Sequence, residues 1–149
     1  MSGVLLDVNV LVALMWPDHD CHELVQAWFG KHARKGWATC PITQAGFIRI
    51  VSNPSFSARA VLPADALRAL NLTLRHPAHH FWSDDIPLSD TLTIIAKRLT
   101  GHQQITDAYL IGLALHKKGR FATLDRSVID LLGPQDPRAN AIELISERP

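Results

Sequence analysis

The chain has 149 residues, 47% of them hydrophobic, with 15 Lys and Arg against 14 Asp and Glu, a formal net charge of +1. That length suits one domain, 1–149, with enough chain to bury a core. The near-zero charge lacks the basic excess usual in proteins that hold nucleic acid passively, so any grip on nucleic acid is expected from local clusters, metal ions or a partner subunit. The first apolar run, Val4-Leu5-Leu6, stops at Asp7, so no secretory signal is expected, and no stretch is long enough to span a membrane. Cys21 and Cys40 have neither metal-ligand spacing nor a disulfide framework, which points to reduced thiols and a cytoplasmic location.

Val4-Leu5-Leu6 reads as a strand buried on both faces. Asn9 is placed to cap a short helix through Val10–Leu14 that Pro17 cannot continue. Asp20 and Glu23 have capping-box spacing for a helix with Leu24, Val25, Trp28 and Phe29 inward, closing near Gly36. Trp37–Cys40 reads as a second strand. Thr43 is the expected cap of a helix through Phe47, Ile48 and Val51 that Asn53-Pro54 ends. Pro63 suits the first turn of a helix with Leu67, Leu70 and Leu74 inward. His79–Trp82 is a weaker strand, and Ser89–Leu99 an amphipathic helix stopped by Gly101. Thr106 is the expected cap of an apolar helix from Ala108 to Leu115, with Gly119 at its C′ position. Phe121–Leu124 and Ala141–Leu144 complete the strands. Strands alternating with helices imply right-handed crossovers and an α/β fold with a parallel, doubly wound sheet.

Ligands of such a sheet bind beyond the carboxyl ends of its strands. Asp7 directly follows the first strand, Asp125 follows the strand ending at Thr123-Leu124, and Asp107 opens the apolar helix. Singly, each has a plain use: Asp7 as a cap, Asp107 against a helix dipole, Asp125 in a turn. Together they form a dense negative site. A hard divalent cation relieves that charge through oxygen ligands and leaves room for substrate phosphate, which suits metal-assisted phosphodiester hydrolysis.

At four places the sequence resembles the PIN-domain family, in its subfamily of VapC-type toxins. These are Leu5-Leu6-Asp7-Val8-Asn9-Val10-Leu11-Val12-Ala13-Leu14, Cys40-Pro41-Ile42-Thr43-Gln44-Ala45-Gly46-Phe47-Ile48-Arg49, Ile105-Thr106-Asp107-Ala108-Tyr109-Leu110, and Phe121-Ala122-Thr123-Leu124-Asp125. Each motif is moderately specific and the ordered set is strong, covering Val4 to Leu144. The resemblance implies a three-layer α/β/α sandwich around a mostly parallel sheet. It also implies a ribonuclease that uses Mg²⁺, or Mn²⁺ as the alternative ion, to cut single-stranded regions of RNA. It assigns Asp7, Asp107 and Asp125 to the metal and Asn9 to ordering the site, with Thr123 beside it. A cognate antitoxin protein and a homodimer are the implied partners. One position departs from the pattern: Gln44 stands where the family usually has a glutamate, and its amide adds no charge. Asp84, Asp85 and Asp90 are candidates to lend that charge, against their plain use as turn or helix-start residues.

Arg49, a turn or so beyond Gln44, is a candidate for steering phosphate. His76, His79 and His80 beside Arg75 read as a solvated loop rather than a zinc site. Lys117, Lys118 and Arg120 suit a basic helix end. Trp28 and Trp37 are expected in the core, and burial is also the leading expectation for Trp16 and Trp82, which could otherwise stack on RNA. A non-cutting PIN domain that binds RNA or protein is the second function, supported by Gln44. An aspartyl phosphatase is excluded, because Asn9 occupies the place of its second acid.

Overall fold

A computed structural model describes residues 3–147. Five parallel strands, β1 (Val4–Leu6), β2 (Trp37–Thr39), β3 (His79–Phe81), β4 (Arg120–Thr123) and β5 (Ile142–Leu144), lie in the order β3-β2-β1-β4-β5. The chain steps from β1 outward through β2 to β3, then returns across β1 to β4. That reversal makes the β1–β4 boundary the topological switch point of the sheet, where a crevice opens past the strand ends.

Alternation along three-residue strands divides the core in two. Val4 and Leu6 face a layer of α1 (Val8–Met15), α2 (His22–His32), α3 (Pro41–Val51) and α4 (Pro63–Thr73). Leu5 and Phe121 face α5 (Leu88–Ile95) and α6 (Ile105–His116). Both layers cover the middle of the sheet, so β1, β2 and most of β4 are buried on both faces, as central parallel strands require, while the edge strand β3 is largely exposed. The result is the three-layer α/β/α sandwich, with every strand parallel.

Several helix starts differ from the expected caps. Asp7 itself caps α1, its Oδ1 accepting from the Val8 amide at 2.7 Å, and Asn9 lies inside the first turn. The helix begins directly off the strand, so the acid fills the cap position first. At α2 the Asp20–Glu23 box does not form and Cys21 stands at the N-cap. Cys40 precedes α3, and Thr43 helps from the third helical position, its Oγ1 accepting from the Cys40 amide at 3.0 Å. Thr106 lies within α6, whose N-cap is Gln104. At the far end of α6 the left-handed residue is Lys118 (φ 57°), not Gly119. Gly119 is required for close approach instead, since a Cβ there would meet the Gly3 carbonyl at 2.6 Å and the Trp82 ring at 2.5 Å.

Trp37 and Trp82 are buried, while Trp28 and Trp16 are half-buried against the helical layer. Along α4, Ala66 and Leu70 face the core and Leu67 is exposed, contrary to the expected stripe. Cys21 and Cys40 are free thiols. Among the described residues no helix is long and apolar enough to cross a membrane.

Candidate active site

The aspartates reach the switch point from three elements. Asp7 follows β1, Asp107 lies in the first turn of α6, and Asp125 follows β4 as the cap of a short 3₁₀ turn. Thr123 links two of them. Its hydroxyl donates to Asp7 Oδ2 at 2.7 Å and accepts from the Asp125 amide at 3.1 Å. Asp125 Oδ1 in turn accepts from the amide and the hydroxyl of Ser127, at 3.0 and 2.7 Å. Asn9 ties α1 to the same edge, its Oδ1 accepting from the Leu124 amide at 3.3 Å.

Among the described residues no Lys, Arg or His forms an ion pair with these three carboxylates. Their protonation shows the consequence. Burial pushes the Asp7 carboxyl up, hydrogen bonds from Thr123 and Val8 pull it part-way back, and Asp125 adds to the rise. Burial, then the charges of Asp7 and Asp125, push Asp107 to about 7. Asp107 has no hydrogen-bond partner among the described residues, so nothing there offsets the repulsion. The donor set is hard oxygen throughout, which fits a divalent cation such as Mg²⁺. Among the described residues no three His, Cys, Asp or Glu side chains are already gathered into a coordination shell. A cation seated here would therefore keep much of its water, as Mg²⁺ commonly does.

Asp107 and Asp125 line a cleft of about 350 Å³ whose other wall is the segment from Thr100 to Gln104. This wall was not anticipated from sequence, where Gly101 read only as a helix stop. The available signal was Gln104 three residues after Gly101, spaced so that its side chain reaches back to the Gly101 amide.

Gln44 is held elsewhere. Its Nε2 donates to Thr39 Oγ1 at 3.0 Å, and Thr39 Oγ1 also pairs with His79 Nε2 at 2.8 Å. No hydrogen bond joins Gln44 to the aspartates among the described residues. Arg49 is exposed in the last turn of α3 and does not line the cleft. Asp85 is paired with Lys117 at 2.9 Å and His116 at 3.3 Å, near the opposite end of α6 from Asp107. Ten residues of helix, about 15 Å, separate the two ends, so Asp85 cannot lend its charge. Asp84 and Asp90 are exposed and outside the cleft. The histidines do not form a solvated loop: His76 and His79 are half-buried against Trp37, and only His80 is exposed. Lys117 and Arg120 are spent in ion pairs with Asp85 and Glu143.

The PIN domain family model matches residues 4–131. The chain belongs to the PIN domain family. This PIN domain is similar to ribonuclease VapC39 of Mycobacterium tuberculosis, with 42% identity over 126 residues covering 85% of this chain and 91% of that one. It is also similar to ribonuclease VapC38 of the same organism, with 40% identity over 142 residues covering 95% and 97%. In fold it matches the crystal structure of VapBC2 from Rickettsia felis bound to a DNA fragment from their promoter. The TM-score there is 0.67 at 13% identity, over 97% of this chain and 99% of that one. A second fold match is PAE2754 from Pyrobaculum aerophilum, with a TM-score of 0.59 at 22% identity, over 96% and 84%.

Proposed function

We propose that this PIN domain is a VapC-type toxin, a metal-dependent endoribonuclease that hydrolyses RNA phosphodiester bonds and is inhibited by a cognate antitoxin protein. The observation that carries the reading is the meeting of Asp7, Asp107 and Asp125 at the switch point with no cationic side chain paired to them among the described residues. Similarity to ribonucleases of the VapC group over most of both chains supports the substrate and the partner.

In this reading the three aspartates hold Mg²⁺, or Mn²⁺. A divalent cation there supplies charge neutralisation and water activation for attack at phosphorus. Thr123 holds the Asp7 carboxylate in one rotamer, and Asn9 fixes the segment carrying Asp125. Asp107, whose carboxyl is pushed to about 7 without metal, gives up that proton when the cation binds. Gln44 contributes a neutral amide only, and Arg49, exposed in the last turn of α3 and outside the cleft, steers backbone phosphate as it approaches. A homodimer completes the proposal; exposed Leu62, Leu67 and Leu72 at α4 provide apolar surface that a second copy or the antitoxin would cover.

A second reading, an RNA- or protein-binding module that does not cut, is favoured by one observation. The Gln44 amide is turned to Thr39, so the position that usually carries an acid adds neither charge nor a contact to the site. Cleavage of total cellular RNA separates the two. Cutting is expected with Mg²⁺, is lost in EDTA, and falls in Asp7→Asn by about 10²-fold or more, the scale for removing one electrostatic stabiliser. Folded, antitoxin-free protein that leaves RNA intact at every metal concentration would establish the binding module.

A further inference from the structure

The cleft beside Asp107 and Asp125 extends past the carboxylates over surface that has no use for a cation. Val128 and Leu131 close its bottom but are already buried, 1% and 2% exposed, and its far wall carries His102 and Gln103. The two carboxylates account for only part of this lining, and the uncharged Thr100, Gln103, Gln104 and Ser127 leave the rest open to a planar, neutral ligand. At about 350 Å³ the space is at the small end of small-molecule sites, ~300–1,000 Å³, too small for a duplex and suited to a single nucleotide.

The wall is built to hold its shape. Gln104 Oε1 accepts from the Thr100 amide at 2.7 Å, the Gly101 amide at 3.2 Å and the Thr100 hydroxyl at 3.3 Å. That side chain is spent on fixing the turn. His102 and Gln103 are exposed, and their side chains make no hydrogen bond among the described residues. Two uncommitted polar side chains therefore stand on a fixed turn at the wall of the cleft, next to the acids assigned to the scissile phosphate. A glutamine amide offers both a donor and an acceptor to a base edge, and an imidazole can stack or hydrogen-bond.

We propose that this cleft is a nucleobase subsite. It takes the unpaired base adjacent to the scissile phosphodiester, seated between the Thr100–Gln104 turn and Ser127, with Gln103 and His102 reading its edge and Gln104 as the positioning residue for both. The inference rests on the RNA half of the functional reading and adds the residues that set sequence preference.

The test uses the full, unmodified chain with Ca²⁺ in place of Mg²⁺, so that a hard cation is present while cutting is slowed, titrated with short fluorescent single-stranded RNAs in which one nucleotide at a time is abasic. Loss of the base at one position is expected to weaken binding about tenfold, the scale of one base contact. Gln103→Ala and His102→Ala each shrink that penalty. Gln104→Leu erases it, and Gln104→Glu, whose carboxylate can accept from the same donors, restores it. A penalty that is absent, or equal at every position, or unchanged in Gln103→Ala, His102→Ala and Gln104→Leu alike, overturns the subsite. The same chain is assayed in Mg²⁺ for cutting on the same RNAs. A position-specific penalty without cutting sinks the nuclease reading and leaves the subsite standing. Cutting without that penalty does the reverse.

Discussion

At the scale of single residues, Asp107 is the least comfortable group in the molecule. Its carboxyl is pushed from an ordinary value of 3.8 to about 7 by burial and by Asp7 and Asp125. The folded state therefore holds this proton more tightly than the unfolded chain does. Between those two values folding takes up a proton, so the contribution of Asp107 to stability falls as pH rises from about 4 to about 7 and stays unfavourable above that. Because the side chain is only half-buried, solvent screening reduces the effect to roughly 1–2 kcal/mol. Asp107→Asn should therefore raise Tm by a few degrees at pH 8 in metal-free buffer and change little at pH 4. Thermal melts at the two pH values check this. Equal changes at both would show that repulsion among the three acids is not the cause.

At the scale of elements, α6 carries Asp107 and is seated by contact with α5. A Cβ added at Gly112 would collide with the Cβ and backbone of Thr91, atoms that cannot swing aside. Gly112→Ala gains helix propensity, about 1 kcal/mol, but forces the two helices apart. A net loss of about 1–2 kcal/mol is expected, read by urea unfolding; a more stable variant would mean that α5 shifts freely. The same elements show what local sequence conveys. The strands, the helix types and the three acids were legible, because short apolar runs ending in aspartate carry their own meaning. The caps were not: Asn9, Thr43 and Thr106 are good capping residues, yet each helix begins earlier, directly off a strand or a 3₁₀ turn. The histidines were misread because β3 packs at an edge beside Trp37, a contact nearly forty residues away in sequence. The Thr100–Gln104 wall was hidden for the same reason, since a turn becomes one side of a cleft only when α6 sets it opposite Asp125.

At the scale of the whole molecule, the proposed metal site joins both helical layers to the sheet. Asp7 begins α1 on one face, Asp107 begins α6 on the other, and Asp125 follows the strand between them. These groups are gathered only in the folded chain, so a cation that engages all three binds the native state and not the unfolded one. Such a ligand stabilises by RT ln(1 + [L]/Kd), about 2.7 kcal/mol at a hundredfold excess over Kd, or roughly 5–10 °C in Tm for a domain of this size. The gain should exceed a simple binding term at pH 8, where Asp107 is ionised and its repulsion is relieved, and shrink at pH 5, where the ion must first displace a proton. Adding Mg²⁺ or Mn²⁺ to the unmodified chain should therefore raise Tm in a pH-dependent way. Asp7→Asn and Asp125→Asn should lose most of that rise. If both variants keep the full shift, the ion binds elsewhere, and the three aspartates are coupled by their repulsion alone.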